Sequence, residues 1–155
     1  MNDCTPRIGL VLGAGSARGL AHIGVMQVLL ENQIPFDFLV GSSMGALIAA
    51  VYACGGDIYM TGKLAGALNT SLFWDVGIPR MGFVSGKRIE HFLRLITKGK
   101  SFEDLDMPLA VVTTDIETGE KIVIQEGPVH TAVRASISIP GVFAPVRYQN
   151  RLLVD

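Results

Sequence analysis

The 155-residue sequence predicts an α/β fold built on a mainly parallel sheet, and three observations carry that expectation. The apolar run Ile8-Gly9-Leu10-Val11-Leu12 has strand length and opens into a glycine-rich loop, Gly13-Ala14-Gly15-Ser16-Ala17-Arg18-Gly19. A helical pattern and a second apolar run, Phe36 to Val40, complete a β-α-β unit, for which a right-handed crossover is expected. Directly behind that run stands Gly41-Ser42-Ser43-Met44-Gly45, ahead of a charge-free stretch from Ala46 to Cys54. Both special loops therefore fall at the carboxyl ends of adjacent parallel strands, where open α/β sheets place their ligands.

Taken in order, the Ile8 to Leu12 run reads as a strand buried on both faces. The first helix is expected from about Ala17 to Asn32, with Leu20, Ile23, Leu30 and the small Gly24 toward the sheet and Pro35 as its stop. Gly55-Gly56 ends the helix behind the pentapeptide, and Asp57 is placed to cap a further helix to about Leu68 that turns Ile58, Leu64, Ala65 and Leu68 inward. Residues 72–83 are irregular and aromatic, suited either to an acyl pocket or mobile cover, or to plugging the core. Lys87 to Thr97 has helical periodicity with Ile89, Phe92, Leu93 and Ile96 inward, and Gly99 ends it. Leu109 to Thr114 and Lys121 to Gln125 flank Glu117-Thr118-Gly119-Glu120 as a hairpin. Val129 to about Ser136 suits a short helix and Ile139-Pro140-Gly141 breaks it. Tyr148-Gln149-Asn150-Arg151 turns a last hairpin, whose second strand is Leu152 to Val154.

Composition narrows the function classes. Apolar residues make up 49% and mean hydropathy is +0.42, rich for a soluble chain of this size, so the protein is either buried unusually well or part of something larger. The charge-free stretch Gly41 to Gly56 is shorter than the roughly 18 residues a membrane span needs, and no transmembrane helix is expected. Met1 to Arg7 lacks the marks of a secretory signal, which points to a cytoplasmic location. Cys4 and Cys54 fit a reducing compartment and have no metal-ligand spacing; Cys54 suits a small core position. With 13 basic and 14 acidic residues scattered along the chain, there is no electrostatic footprint for nucleic acid. No internal repeat or low-complexity segment is present.

The chemistry concentrates in the two loops. G-x-S-x-G between a strand and a helix suits a nucleophile elbow, in which a tight turn strains the serine backbone and small neighbours let strand and helix approach; Ser43 is the candidate nucleophile, and a plain glycine-serine loop is the alternative. In the Gly13 to Gly19 loop, a dinucleotide fingerprint would need glycine at the sixth position, where Arg18 stands. The better reading is an oxyanion hole made of backbone N–H groups at the start of a helix, whose dipole favours negative charge. His22 and His130 do not occupy the late position that an α/β-hydrolase triad demands, and His91, between apolar neighbours on its helix, is expected to be structural. Asp115 and Glu117 are candidate carboxylates.

Gly13 to Gly19, His22-Ile23-Gly24-Val25 and Gly41 to Ala46 resemble the patatin-like phospholipases, particularly the small bacterial members. The similarity continues through Ala110 to Glu120, Val133 to Pro145 and Leu152-Leu153-Val154-Asp155. The resemblance implies a three-layer α/β/α architecture with a nucleophile elbow and a Ser-Asp dyad. In it Ser43 is the nucleophile and Asp155 its base, with Gly41, Ser42, Met44 and Gly45 forming the elbow. The amides of Gly13, Ala14, Gly15, Ser16, Ala17 and Arg18 line the oxyanion hole, and Asp115 and Glu117 sit in a structural turn. Ala14 and Ser16 stand where many members have glycine, and both still offer an N–H. The family motif continues past its aspartate, so the chain is expected to be a single catalytic domain lacking its C-terminal part, which would be its partner. An unperturbed aspartate, with a pKa of about 3.9, is a weak base toward a serine hydroxyl, so such a dyad leans on its surroundings.

The function expected is lipid acyl hydrolysis of the phospholipase A or lysophospholipase type, through an acyl-enzyme and without cofactor or metal. An acyltransferase or thioesterase using the same elbow is the alternative, followed by a non-catalytic lipid- or nucleotide-binding module. The partner is a lipid or acyl ester, with peripheral membrane contact left open.

Overall fold

The computed structural model describes residues 6–67 and 86–155; Cys4, Leu68 and the aromatic stretch 72–83 lie outside them. Three parallel strands carry the N-terminal half of the sheet: β1 (Gly9–Leu12), β2 (Phe38–Ser42) and β3 (Leu109–Asp115). Three more extend it with antiparallel pairings: β4 (Lys121–Ile124) on β3, then β6 (Arg151–Val154) on β3, with β5 (Val146–Tyr148) beyond β6. The sheet is therefore mixed, and its parallel part holds both loops singled out in the sequence.

Strand order explains where the helices go. The steps from β1 to β2 and from β2 to β3 run in the same direction, so right-handed crossovers put α1 (Ala21–Glu31) and α2 (Met44–Ala53) on the same face. That face buries Leu12, Leu39 and Val111 against Ile23, Met26, Ala46, Ala49, Ala50 and Ala53. The row of alanines brings α2 close to the strands. On the opposite face Val11 and Val123 are 68% and 47% exposed. Among the described residues no helix is long and apolar enough to cross a membrane.

β3 is used on both edges, and this places the last strand. Val112 pairs with Ser42 on one side and Val123 on the other, while Thr114 pairs with Lys121 and Val154. β6 therefore shares an edge of β3 with β2, and its last residue, Val154, lies just beyond the end of β2.

Several boundaries differ from the sequence expectation for physical reasons. β1 is an edge strand with alternating burial, not a strand buried on both faces: Leu12 points inward and Val11 outward. A 3-10 turn over Ser16–Leu20 precedes α1, so the regular helix begins at Ala21, four residues later than Ala17, and Gly24 on it is exposed. β2 begins at Phe38 because Asp37 is occupied elsewhere: its N–H donates to the Ile8 carbonyl at 2.7 Å, and its carboxylate accepts the Ile8 N–H at 2.6 Å. On α3 (Ile58–Ala67), Asp57 caps the Tyr59 and Met60 N–H groups as expected, but Leu64 is 56% exposed. On α4 (Gly86–Ile96), Leu93 is buried and Phe92, at the margin of the apolar stripe, is 42% exposed. The short helix α5 (Val129–Ser136) and the hairpin of β5 and β6 lie where the turn residues put them.

Candidate active site

Ser43 sits at the turn between β2 and α2 with φ 54° and ψ −124°, a conformation that non-glycine residues avoid, and it is 6% exposed. Its neighbours are small by necessity. A Cβ on Gly41 would stand 2.4 Å from the Ala46 Cα, and one on Gly45 would stand 2.0 Å from the Leu12 carbonyl oxygen. The end of β1 thus lies directly against the first turn of α2, which brings the glycine-rich loop to the elbow.

Asp155 arrives from the other end of the chain. The pairing of Ser42 with Val112 sets the next residue, Ser43, level with Thr113. The antiparallel pairing of Val154 with Thr114 sets Asp155 at the same level. The two side chains meet there, and the Ser43 hydroxyl donates to Asp155 Oδ2 at 2.6 Å, a length suited to a charge-assisted hydrogen bond. The Asp155 N–H donates to the Ser138 carbonyl at 3.0 Å.

The glycine-rich loop is tied to both sides. The Gly13 carbonyl accepts a bond from His22 Nε2 at 2.9 Å. Gly19 packs on Met44, the residue after Ser43. Ser16 takes φ 47°, and the exposed residues Ser16, Ala17 and Arg18 open a helical turn whose first N–H groups have no intrahelical acceptor. Ala14 and Gly15 precede that turn.

The rival residues are engaged elsewhere. Asp115, 3% exposed, accepts the Glu117 N–H at 3.0 Å and pairs with Arg151 at 3.2 Å; Arg151 also bonds Glu120 at 2.6 Å. This clamp joins the turn after β3 to the strand that delivers Asp155. His91 is exposed on α4. His130 Nδ1 is buried with no partner in the described structure, and burial pushes this histidine below its ordinary pKa, assisted by Arg94 and opposed by Glu90. Burial also raises the Cys54 thiol, against Lys100 and Lys98. Among the described residues no cluster of three or more His, Cys, Asp or Glu side chains could hold a metal ion.

Sequence reasoning missed one group beside the serine. Ser136, at the end of α5, accepts the Ser43 N–H at 2.8 Å, and Ser138 two residues on provides the carbonyl for Asp155. Nothing in the spacing of Arg134-Ala135-Ser136-Ile137-Ser138 marks either serine, because the contacts span β2, β3 and α5.

Comparisons with known proteins agree on a family. The family model described as patatin-like phospholipase matches residues 10–155. An uncharacterized NTE family protein of Mycobacterium tuberculosis H37Rv is 39% identical over 153 residues, covering 97% of this chain and 42% of the relative. A protein named lysophospholipase nte1 in Aspergillus fumigatus is 32% identical over 160 residues, covering 98% of this chain and 10% of the relative. The chain thus spans less than half the length of these curated relatives. VipD of Legionella pneumophila shares the fold at a TM-score of 0.69 and 16% identity, over 97% of this chain and 46% of that one. The type III effector ExoU shares it at 0.63 and 19%, over 88% and 41%.

Proposed function

The chain belongs to the patatin-like phospholipase family, and from that premise we propose that it is a serine lipid acyl hydrolase of the phospholipase A or lysophospholipase type. The observation that carries the proposal is the 2.6 Å hydrogen bond from the Ser43 hydroxyl to Asp155, made by a serine on a strained strand-to-helix turn. The name of the Aspergillus relative, a lysophospholipase, supports the substrate class.

In this mechanism Asp155 accepts the Ser43 proton as Oγ attacks the acyl carbonyl carbon. The oxyanion that forms is stabilised by N–H groups of the loop from Gly13 to Arg18, aided by the positive end of the helical turn. Collapse of the tetrahedral intermediate expels the alcohol, which takes the proton from Asp155. Water, deprotonated by the same carboxylate, then attacks the acyl-Ser43 ester; collapse releases the fatty acid, and Asp155 returns the proton to Ser43 Oγ. A lipid substrate implies peripheral contact with a membrane surface.

Treatment with a fluorophosphonate probe tests this reading. Ser43 is expected to be labelled, with the adduct located by mass spectrometry, and Ser43→Ala to be inert toward both probe and ester substrates. No labelling of the wild-type chain, or labelling that persists in Ser43→Ala, removes Ser43 as the nucleophile.

A further inference from the structure

We infer that Ser136 is a positioning residue for Ser43, an inference that rests on the hydrolase reading above. The reasoning begins in the ladder between β2 and β3. The Leu39 N–H donates to the Pro108 carbonyl at 2.9 Å, so the odd-numbered residues of β2 direct their N–H groups toward β3. Four residues further, a ladder continued in this register would bond the Ser43 N–H to the Val112 carbonyl. That bond is replaced by a relay. The Ser43 N–H donates to Ser136 Oγ at 2.8 Å, and the Ser136 hydroxyl donates to the Val112 carbonyl at 2.7 Å. One hydroxyl from α5 stands in the last rung of the ladder.

The inserted hydroxyl solves a problem that the elbow creates. Ser43 must leave the sheet at φ 54° while its N–H stays buried, and an unpaired buried N–H is costly. Ser136 is fully buried and satisfies both the N–H that turns away and the carbonyl it leaves behind. Without that hydroxyl, the buried Ser43 N–H and the partly buried Val112 carbonyl are left unpaired, or the Ser43 N–H closes on Val112 and draws the serine back toward strand geometry. Either outcome moves Ser43 Oγ relative to Asp155.

The turn that carries Ser136 is itself braced. The Ser138 hydroxyl donates to the Arg134 carbonyl at 2.7 Å and accepts a bond from the Arg134 guanidinium. That guanidinium, largely buried, also lies 5.5 Å from the Phe143 ring centroid. The Ser138 carbonyl holds the Asp155 N–H, so a single turn at the end of α5 fixes both partners of the hydrogen bond.

The test compares Ser136→Ala with Thr97→Val, which removes another fully buried hydroxyl that bonds the Leu93 carbonyl at the end of α4. A displacement near 1 Å can cost on the order of 100-fold in rate, so the maximal rate of fluorophosphonate inactivation in Ser136→Ala should fall between about 10- and 100-fold. The probe concentration at half-saturation should stay unchanged. Thr97→Val should label at the wild-type rate even when its melting temperature falls as far. Ser136→Ala labelling within threefold of wild type, or equal rate losses in the two variants, overturns the inference. Hydrogen exchange at the Ser43 amide of the wild-type chain is an arm that does not depend on a variant folding: protection is expected, and rapid exchange refutes the relay. A wild-type chain in which Ser43 is protected but never labelled shows that the hydrolase reading has failed, and the positioning role falls with it.

Discussion

Replacing Asp155 by asparagine separates the chemistry of the site from its architecture. Asparagine keeps the shape of the side chain, and its amide oxygen can still accept the Ser43 hydroxyl across the present 2.6 Å. What is lost is the negative charge and the capacity to take the proton. Exchanging a hydrogen bond to a charged acceptor for a neutral one costs about 1 kcal/mol, which in a domain of this size lowers the melting temperature by roughly 2–4 °C. The chemical loss is larger. General-base catalysis contributes roughly 100- to 10,000-fold, about 3–5 kcal/mol on the barrier. The assay is the pseudo-first-order rate of fluorophosphonate labelling, measured beside release of fatty acid from a lysophospholipid. Glu117→Gln, which neutralises an exposed carboxylate on the turn after β3, serves as the comparison. Asp155→Asn that labels within threefold of wild type would refute the assignment of Asp155 as the base.

Two further outcomes follow from backbone and charge. Ser16 holds φ 47° in the glycine-rich loop, so Ser16→Gly relieves about 1–2 kcal/mol of backbone strain against roughly 0.5–1 kcal/mol of added chain entropy; its melting temperature should rise by up to about 6 °C, and a decrease would show that the serine side chain makes a compensating contact. His130 is held below its ordinary pKa by burial, so the unfolded chain takes up its proton first as pH falls. Its contribution to stability is therefore complete above about pH 6.5 and is lost as pH drops toward the lower folded-state value. Urea midpoints at pH 7.5 and 5.5 should differ less in His130→Gln than in wild type, and equal differences would rule out this histidine as the source.

The sequence made the elbow legible because its constraints are local. Gly41 and Gly45 are required by close approach, and Ser43 stands between them in a spacing that can be counted. Asp57 could likewise be read as a cap, since its partners lie two and three residues ahead. The two-sided burial expected of β1 failed because an apolar run does not reveal which strands flank it, and the edge position depends on strand order. Phe92 and Leu64 were misplaced by a smaller error of the same kind, since a helical stripe has margins that only its packing partners define. Asp155 could be named only through family resemblance. The reason it meets Ser43 is that β6 continues the edge of β3 that β2 leaves free, a relation with no trace in local sequence. Ser136 was invisible for the same reason.

The shared edge of β3 also bears on how the protein folds. Ser43 and Asp155 are 112 residues apart, and the hydrogen bond between them forms only when the last strand docks beyond the end of β2. Contacts of such long sequence separation carry a large loop-closure entropy and tend to form slowly. Reactivity at Ser43 therefore reports arrival of the C-terminal strand, while helix signals report the helices, all of which precede that strand in the chain. In a refolding experiment, recovery of probe labelling should lag recovery of far-ultraviolet circular dichroism, which makes the nucleophile a built-in clock for the final step of assembly.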